Sequence, residues 1–405
     1  MRSEEKQSAS ILTAECSDIP TPVQRIRFII GSLDVGGTEK HLSLILPRLA
    51  GTGYEPVVIT LTHKGVLAEI IEKAGIKVYQ PHPWIRFIQR TPVLKMLLGL
   101  PITLLYLIFM YAKNPAGLTC LYLPVAYHLG WIAALVNLEG DRTVMFRRSL
   151  NHYQKQRPLI TKIEHFMHAK QLAIVGNSLT VLHELLVKED VPQDKLTLIY
   201  NGIDISKFGN KEKREVTRQA LGLDQDEIVL CIVANLIPYK GHMDLIDALI
   251  SIRDKIRRPW RLLCVGSGIE KRQDLIRRVE VGGLENHVIW LGRRDDIPAI
   301  LSATDISLLV SHQEGFSNSI LEYMASGLPM IVTDVGGNRE AIDHQKCGLV
   351  VRPHDPAGLG QAILYLMNNM IQAREFGLAA RERVEQYFSI EMCVNNYKSF
   401  FDQII

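Results

Sequence analysis

Cysteines are few in this sequence, and none is placed for a metal or redox site. Six occur among the 405 residues, at Cys16, Cys120, Cys231, Cys264, Cys347 and Cys393. No two are close enough along the chain for a zinc knuckle or a Cys-x-x-Cys pair, and two lie inside apolar runs typical of strands. The pattern predicts buried free thiols in a reducing compartment.

The sequence also has no large excess of positive or negative charge. The 46 basic and 43 acidic side chains leave a formal net charge of +3. No basic block with interleaved aromatic residues occurs, so nothing indicates a nucleic-acid partner. No aspartate-rich metal motif and no GxGxxG loop occurs either. We therefore expect no bound metal and no cofactor.

The first 24 residues lack the apolar core of a signal peptide. They are polar, contain several acidic residues and end near Pro20 and Pro22. We interpret residues 1–24 as a loose tail, and we expect a cytoplasmic protein.

One long apolar run, residues 94–112, has three interpretations. It approaches the ~20 residues that a membrane-spanning helix needs, but Pro101 interrupts it and a lysine lies inside it. A surface helix that enters the membrane interface is the second interpretation, and a buried crossover helix is the third. The second is favoured by basic residues near the ends of the run, namely Arg86, Arg90, Lys95 and Lys113.

The remaining sequence alternates short apolar runs with helical patterns. The apolar runs fall in two series, 26–30, 56–61, 76–79, 117–123, 143–146, 172–175 and 196–199, then 228–234, 261–265, 287–291, 306–310, 330–333 and 349–351. Strands that alternate with helices form right-handed crossovers and a parallel sheet. The sequence predicts an α/β protein of two doubly wound, Rossmann-like domains, 25–205 and from 226 onward, with residues 206–225 as a linker and a cleft between them.

The stretch 311–322 predicts a ligand site in the second domain. It follows an apolar strand, turns at Gly315 and opens a helix at Ser317 or Asn318. A helix start at the carboxyl edge of a sheet suits a phosphate. The two glutamates of this stretch, Glu314 and Glu322, can accept hydrogen bonds from the hydroxyl groups of a ligand. A plain helix start with two solvated acids is the alternative.

Several glycine turns at strand ends support the same site. Gly36 and Gly37 follow the first strand, and in the second domain the turns are 240–242, 266–268, 291–294 and 334–340. Each alone is a weak signal. Together, at one sheet edge, they indicate a phosphorylated ligand.

A basic stretch follows the strand at 143–146. Arg147, Arg148 and the later His152 are expected at the cleft, where they can meet an anion or a reacting hydroxyl group. A solvated loop is the alternative.

The order of these motifs resembles the retaining glycosyltransferases of family 4, which have the GT-B fold. The resemblance rests on residues 198–208, 240–242, 266–268, 314–329 and 334–340. It is dense from residue 198 to 353 and thinner back to residue 25. It implies that 226–385 holds a nucleotide-diphosphate sugar, UDP- or GDP-linked, and that 386–405 crosses back onto the first domain.

The resemblance also implies roles for individual residues. Glu322 would bind the ribose diol and Glu314 the donor sugar, while Lys240 would neutralise the diphosphate. We assign Glu314, Lys240 and Arg147 to catalysis. The residues expected to bind the donor are Gly36, Gly37, Lys240, Gly266, Gly268, Arg293, Glu314, Gly315, Phe316, Ser317, Asn318 and Glu322.

Two departures from the family pattern matter. Asn235 stands where the family commonly has an arginine, so one charge is missing and Arg293, Arg339 or Arg147 is a candidate to replace it. Arg147-Arg148 occupies the place of a histidine near the acceptor.

The predicted function is sugar transfer to an acceptor, lipid-linked or near a membrane, as in polysaccharide assembly. The alternatives are a sugar-nucleotide binder without transfer, or an epimerase or phosphorylase on the same fold.

Overall fold

The computed structural model describes residues 23–88, 95–150, 158–210 and 212–405. His152, Arg90 and the tail 1–22 lie outside the described residues.

The first domain contains a seven-stranded parallel sheet with the order β3-β2-β1-β4-β5-β6-β7. Phe28 and Ile29 of β1 are buried in different apolar clusters, because successive side chains of a strand point to opposite faces. Burial on both faces is what an all-parallel sheet requires. The strands are β1 Gln24–Ser32, β2 Tyr54–His63, β3 Lys77–Tyr79, β4 Leu118–Tyr122, β5 Thr143–Arg147, β6 Ala173–Gly176 and β7 Leu196–Leu198.

The helices of this domain cover both faces of its sheet. They are α1 Gly37–Leu49, α2 Ala68–Lys73, α3 Pro83–Ile88, α4 Leu100–Lys113, α5 Pro124–Val136, α6 Pro158–Lys170 and α7 Leu179–Lys188.

The second domain has a six-stranded parallel sheet with the order β10-β9-β8-β11-β12-β13. Leu230 and Cys231 of β8 again belong to separate clusters on the two faces. The prediction of two doubly wound α/β domains is therefore confirmed. The strands are β8 Ile228–Val233, β9 Trp260–Val265, β10 Val288–Gly292, β11 Ile306–Leu309, β12 Met330–Thr333 and β13 Leu349–Val351.

The stretch expected as a linker packs against the second domain. Arg218 in this stretch is buried, and its guanidinium group lies 2.6 Å from the Asp305 carboxylate. The helices from this point are α8 Lys213–Ala220, α9 His242–Ile252, α10 Gln273–Val281, α11 Ile297–Ala303, α12 Asn318–Ala325, α13 Asn338–Ala341, α14 Pro356–Asn368, α15 Met370–Tyr387 and α16 Ile390–Ile404.

The last helix, α16, packs on the first domain. Tyr397 and Phe401 are buried in the cluster that contains Phe28, and the Tyr397 hydroxyl group lies 3.1 Å from Nε2 of His41. The chain thus returns to its first domain after completing the second, and this return ties the two domains together.

The apolar run at 94–112 does not form one continuous α-helix. A π-helical turn, Lys95–Gly99, precedes α4, and Pro101 lies in the first turn of α4, where a missing N–H costs no hydrogen bond. Leu107 and Tyr111 face the core, whereas Leu105 and Phe109 are 65% and 61% exposed. Among the residues that the structure describes, no helix has the length and apolarity to cross a membrane.

The two sheets place their switch points at the cleft. The strand order reverses between β1 and β4 in the first sheet and between β8 and β11 in the second. Loops that leave neighbouring strands in opposite directions open a crevice at the carboxyl edge, the usual ligand site of such sheets.

Candidate functional site

A cavity of about 630 Å³ lies between the domains at these switch points. This volume is in the range of small-molecule and cofactor sites. Gly268 and Arg147 are not among its lining residues. The predicted site residues that line it are Gly36, Gly37, Lys240, Gly266, Arg293, Glu314, Gly315, Phe316, Ser317, Asn318 and Glu322.

An ion pair between Lys240 and Glu314 lies on the second-domain wall. Lys240 Nζ donates to Oε1 of Glu314 at 2.6 Å, and the Ser311 hydroxyl group donates to the same oxygen at 2.7 Å. The pair is mostly shielded from solvent, since the side chains of Lys240 and Glu314 are 19% and 10% exposed. Both charges are thus fixed in position before a ligand arrives, and the second carboxylate oxygen of Glu314 remains an acceptor.

Glu322 lies one turn into α12 and is buried. Burial raises the pKa of its carboxyl group, and Lys40 of the first domain, 3.8 Å away, acts in the opposite direction. A carboxylate in such a site is stabilised when ligand hydroxyl groups donate to it, because these replace the water that burial removed.

The start of α12 presents its backbone N–H groups to the cavity. Ser317 is the N-cap residue, but its side chain makes no capping hydrogen bond. The first N–H groups of a helix have no partner within the helix, and the dipole favours negative charge at this end. An anion in the cavity is thus attracted by both α12 and Lys240.

The glycines at the cleft allow two loops to approach closely. Gly36 and Gly37 follow β1, and the carbonyl group of Gly37 accepts a hydrogen bond from Asn318 Nδ2 at 3.0 Å. Gly336 has a φ of 53°, and a Cβ atom there would collide with the backbone of Glu314. Gly336 therefore lets its own loop pack directly against the loop of Glu314, within the second domain.

The predicted catalytic residue Arg147 does not line the cavity. Arg147 is buried on the first sheet and donates to the Glu189 carboxylate at 2.9 Å, with Glu164 at 3.8 Å. Its neighbour Arg148 lines the cavity and donates to Asn201 Oδ1 at 2.5 Å. Adjacent residues at the end of a strand face opposite sides, so Arg148, and not Arg147, joins Lys40 as a cation of the first domain at this site.

Asn235 contributes no charge to the site. Its Oδ1 accepts hydrogen bonds from the backbone N–H and the hydroxyl group of Ser267, at 3.1 and 3.0 Å. This bond holds the loop after β8 against the loop after β9, beside Gly266. Gly268 of the same loop packs near Leu236 rather than in the cavity, and its assignment to donor binding stays a prediction.

The candidates to replace the missing arginine lie in different places in the structure, and not all of them reach the cavity. Arg293 lines the cavity, whereas the exposed Arg339 pairs with Asp334 at 2.5 Å. The guanidinium group of Arg147 is already paired with the Glu189 carboxylate. Of these three candidates Arg293 lies at the cavity, which Arg148 and Arg294 also line.

Asn201, which the sequence reasoning did not assign, connects the two walls. Its Nδ2 donates to the Phe316 carbonyl group at 3.1 Å and to Asn318 Oδ1 at 2.7 Å, while its Oδ1 accepts from Arg148. Besides its place in the family-like segment 198–208, its signal was an Asn-Gly pair after the last strand of the first domain. That signal is typical of any turn.

Comparisons with known proteins define the class and then the family. A solved structure of Anabaena Alr3699/HepE in complex with UDP and glucose superposes with a TM-score of 0.80 at 21% identity, over 94% of this chain and 99% of that one. Together with the two facing parallel-sheet domains, this shows a GT-B fold.

Sequence comparisons identify the family. The profile described as Glycosyltransferase Family 4 matches residues 35–207, and the profile described as Glycosyl transferases group 1 matches residues 227–369. The chain belongs to the family 4, group 1 glycosyltransferases, which confirms the family prediction.

Two curated relatives show how far the likeness extends. N-acetyl-alpha-D-glucosaminyl L-malate synthase of Bacillus anthracis is 28% identical over 233 residues, 58% of this chain and 59% of that protein. UDP-Gal:alpha-D-GlcNAc-diphosphoundecaprenol alpha-1,3-galactosyltransferase of Escherichia coli is 26% identical over 225 residues, 55% and 58% of the two chains. The match thus spans less than two thirds of either relative.

Proposed function

We propose that this protein is a retaining glycosyltransferase that moves a sugar from a UDP- or GDP-sugar to an acceptor hydroxyl group, in a reaction that needs no metal ion. The observation that carries the proposal is the composition of one cavity. There Lys240 and the start of α12 can meet a diphosphate, while Glu314 and Glu322 can accept hydrogen bonds from sugar and ribose hydroxyl groups. A nucleotide sugar presents these groups in order along its length, first the sugar, then the diphosphate and the ribose, with the base attached to the ribose.

The proposed reaction exchanges one bond at C1 of the donor sugar. The bond from C1 to the phosphate oxygen breaks, a bond from C1 to the acceptor oxygen forms, and the acceptor proton leaves with the diphosphate. Charge then grows on the leaving oxygens, where Lys240, Arg148 and the N–H groups of α12 stabilise it electrostatically. Retention of configuration follows the family resemblance, and we assign no protein nucleophile.

Nucleotide release from a panel of UDP- and GDP-sugars tests the proposal. UDP-sugars come first, because the HepE structures are described as complexes with UDP and with UDP-glucose. We expect Lys240→Ala to lower the release rate by about 10²–10³, the loss typical of one electrostatic donor. The matched control is Lys73→Ala, an exposed lysine on α2 whose partner is Glu69. If Glu314→Ala released nucleotide as fast as the parent protein, the role of that residue would be wrong.

The same assay separates transfer from mere binding. Asn235 favours the alternative of a sugar-nucleotide binder without turnover. It lacks the positive charge of the family's usual arginine, and its side-chain oxygen already accepts a hydrogen bond from Ser267. Calorimetric binding of UDP with no release from any donor, in the presence of acceptors, would support the binder. Measurable release with an acceptor-bound sugar as product supports the transferase.

We further propose that the acceptor is lipid-linked and that the protein works at the cytoplasmic face of a membrane, within polysaccharide or glycoconjugate synthesis. The π-helical turn and helices α4–α6 expose large apolar side chains: Leu97, Leu98, Leu105, Phe109, Val125, Ile132, Leu135, Val136, Leu159, Ile163 and Phe166. Crossover helices run antiparallel to the strands, so Leu98, Val125 and Leu159, near helix N-termini, lie toward the cleft edge. The name of the Escherichia coli relative contains a diphosphoundecaprenol acceptor.

Further features support this location. Lys113 ends α4 and Lys162 is exposed on α6, so cations accompany the apolar surface as anionic lipids require. The five described cysteines are free and buried, as expected in a reducing compartment.

Sedimentation with vesicles tests the membrane proposal. We expect binding to vesicles that contain anionic lipid at low salt, and weaker binding at high salt. Phe109→Ser should reduce binding, whereas Val281→Ser, at an apolar residue 74% exposed on α10 of the other domain, should not. Absence of binding at low salt would remove the membrane proposal and leave the transferase proposal intact.

A further inference from the structure

A second cluster of ligand-type side chains lies beside the cavity, on the carboxyl edge of the second sheet. Asp244 is in the first turn of α9, His312 follows β11 and His354 follows β13. One nitrogen from each histidine and one carboxylate oxygen lie within 4.8 Å of one another. Three separate chain segments thus bring their ligand atoms to one point.

The distances in this cluster match those around a tetrahedral metal ion. His312 Nε2 lies 2.9 Å from Asp244 Oδ2, and His354 Nδ1 lies 3.9 Å from the same oxygen. Two ligands that are each ~2.0–2.1 Å from a tetrahedral zinc ion are about 3.3 Å apart. The two observed distances lie on either side of that value, and the two rings must turn apart for both nitrogens to face one ion.

The backbone at His354 holds its ring toward the cluster. His354 has a φ of 58°, a left-handed conformation uncommon for residues other than glycine. In this conformation the rings of His312 and His354 face each other with centroids 3.7 Å apart. Asp244 Oδ2 lies 2.9 Å from a nitrogen of one ring and 3.9 Å from a nitrogen of the other, so the three side chains form a concentrated set of nitrogen and oxygen ligands.

We propose that Asp244, His312 and His354 bind one divalent transition-metal ion, with Zn²⁺ as the expected occupant. Imidazole nitrogens suit zinc, cobalt and nickel, whereas magnesium and calcium prefer oxygen ligands alone. Three protein ligands leave one position for water, and the high exposure of His354, with 67% of its side chain accessible, provides an entry path.

This cluster is better suited to a cation than the other such group among the described residues. Glu164, His168 and Glu189 also lie within reach of one another, but they are buried. Arg147 already supplies a positive charge 2.9 Å from Glu189. A second cation there would meet electrostatic repulsion, so we assign the metal to the cluster at Asp244.

The ion would act on the loops of the donor site rather than on the transferred sugar. His312 lies two residues before Glu314, and its backbone N–H donates to the carbonyl group of Tyr239 at 2.7 Å, next to Lys240. Metal bound to His312 and Asp244 would therefore fix the two loops that carry the Lys240–Glu314 pair. The proposal stands whether or not the protein transfers sugar.

Calorimetric titration of the full chain with Zn²⁺, after treatment with a chelator, tests the site. We expect one ion per chain and a higher melting temperature with zinc. His312→Gln and His354→Asn should each weaken binding by about tenfold or more. Asparagine tolerates the left-handed backbone at position 354, so that variant keeps the fold. Co²⁺ should give the visible absorption of a tetrahedral site, and an excess of Mg²⁺ should not displace it.

His183→Ala, at an exposed histidine on α7, is the matched control and should leave zinc binding unchanged. Equal zinc affinity in the parent, His312→Gln and His354→Asn proteins would overturn the site. A loss that occurs equally in His183→Ala would overturn it as well, because it would indicate nonspecific binding.

Discussion

The two carboxylates of the cavity are held in different ways. Glu314 is paired with Lys240 at 2.6 Å, so its charge is compensated within its own domain. Glu322 is buried, and the lysine that faces it, Lys40, belongs to the other domain at 3.8 Å. A compensated carboxylate is held in position to orient a ligand, whereas a buried one gains from every hydrogen bond that a ligand donates.

Glu322 gives a prediction for the dependence of stability on pH. Burial raises the pKa of its carboxyl group in the folded state above the unfolded value of about 4.3. Between these two values the folded state binds more protons than the unfolded state, so this group lowers stability as the pH rises through that window. Glu322→Gln should remove this decline and should weaken UDP binding by about tenfold, ~1.4 kcal/mol.

Urea unfolding at acidic and neutral pH measures the difference in the free energy of unfolding. Glu375→Gln, at an exposed glutamate on α15, is the control and should keep the pH dependence of the parent protein. An unchanged pH dependence in Glu322→Gln would contradict the raised pKa.

Substitution by methionine should mainly lower stability at Arg147 and mainly weaken UDP binding at Arg148. Arg147→Met leaves two carboxylates buried without their cation and should lower the free energy of unfolding by about 3–5 kcal/mol. Arg148→Met should cost about 1 kcal/mol, but it should weaken UDP binding about tenfold. Urea unfolding and calorimetric titration with UDP measure the two effects. Loss of UDP affinity in folded Arg147→Met, with none in Arg148→Met, would reverse our placement of the two arginines.

At the scale of elements, the strands and the helix start at α12 were predictable because they depend on local patterns. Apolar runs bounded by glycine turns fix a buried parallel strand, and a polar loop before a helix fixes the N-terminus. The side to which Arg147 points was not predictable, since a shift of one residue along a strand reverses every side chain. The role of Asn201 was hidden as well, because its partners Phe316 and Asn318 lie in the other domain.

The contact between α16 and the first domain gives a prediction at this scale. A Cβ atom on Gly202 would lie 2.5 Å from Cβ of Cys393 and 3.0 Å from Cα of Ile390, whereas one on Gly31 would meet no atom within 4 Å. Gly202→Ala should therefore lower stability by about 1–3 kcal/mol by forcing α16 outward. Gly31→Ala should change stability by less than about 0.5 kcal/mol. Measured melting temperatures compare the two variants. Equal melting temperatures would mean that α16 moves outward without loss of stability.

At the scale of the whole molecule, the cavity exists only where the two domains face each other. Each wall has its own charged groups, and hydrogen bonds from side chains of one domain to the backbone of the other connect the walls. Asn318 reaches Gly37, and Thr180 Oγ1 donates to the carbonyl group of Gly336 at 3.0 Å. Donor affinity should therefore depend on domain closure as well as on the residues that touch the donor.

Glu340 on α13 provides the test of that dependence. Its carboxylate accepts from the backbone N–H groups of Leu179 and Thr180, at 2.7 and 2.9 Å, and from the Tyr200 hydroxyl group at 3.1 Å. A carboxylate at the N-terminus of α7 is favoured by the helix dipole, and hydrogen bonds to charged groups contribute ~1.5–3 kcal/mol each. Glu340→Ala should shift the domains toward an open arrangement by about tenfold or more in population.

Small-angle X-ray scattering of the free protein should show a larger radius of gyration for Glu340→Ala, and saturating UDP should reduce it toward the parent value. Glu340 does not line the cavity, so weaker UDP binding in this variant reports on closure rather than on a lost contact. Glu382→Ala, at an exposed glutamate on α15, should match the parent in both measurements. A Glu340→Ala protein with unchanged scattering and unchanged UDP affinity would show that the contact at α7 does not hold the cleft closed.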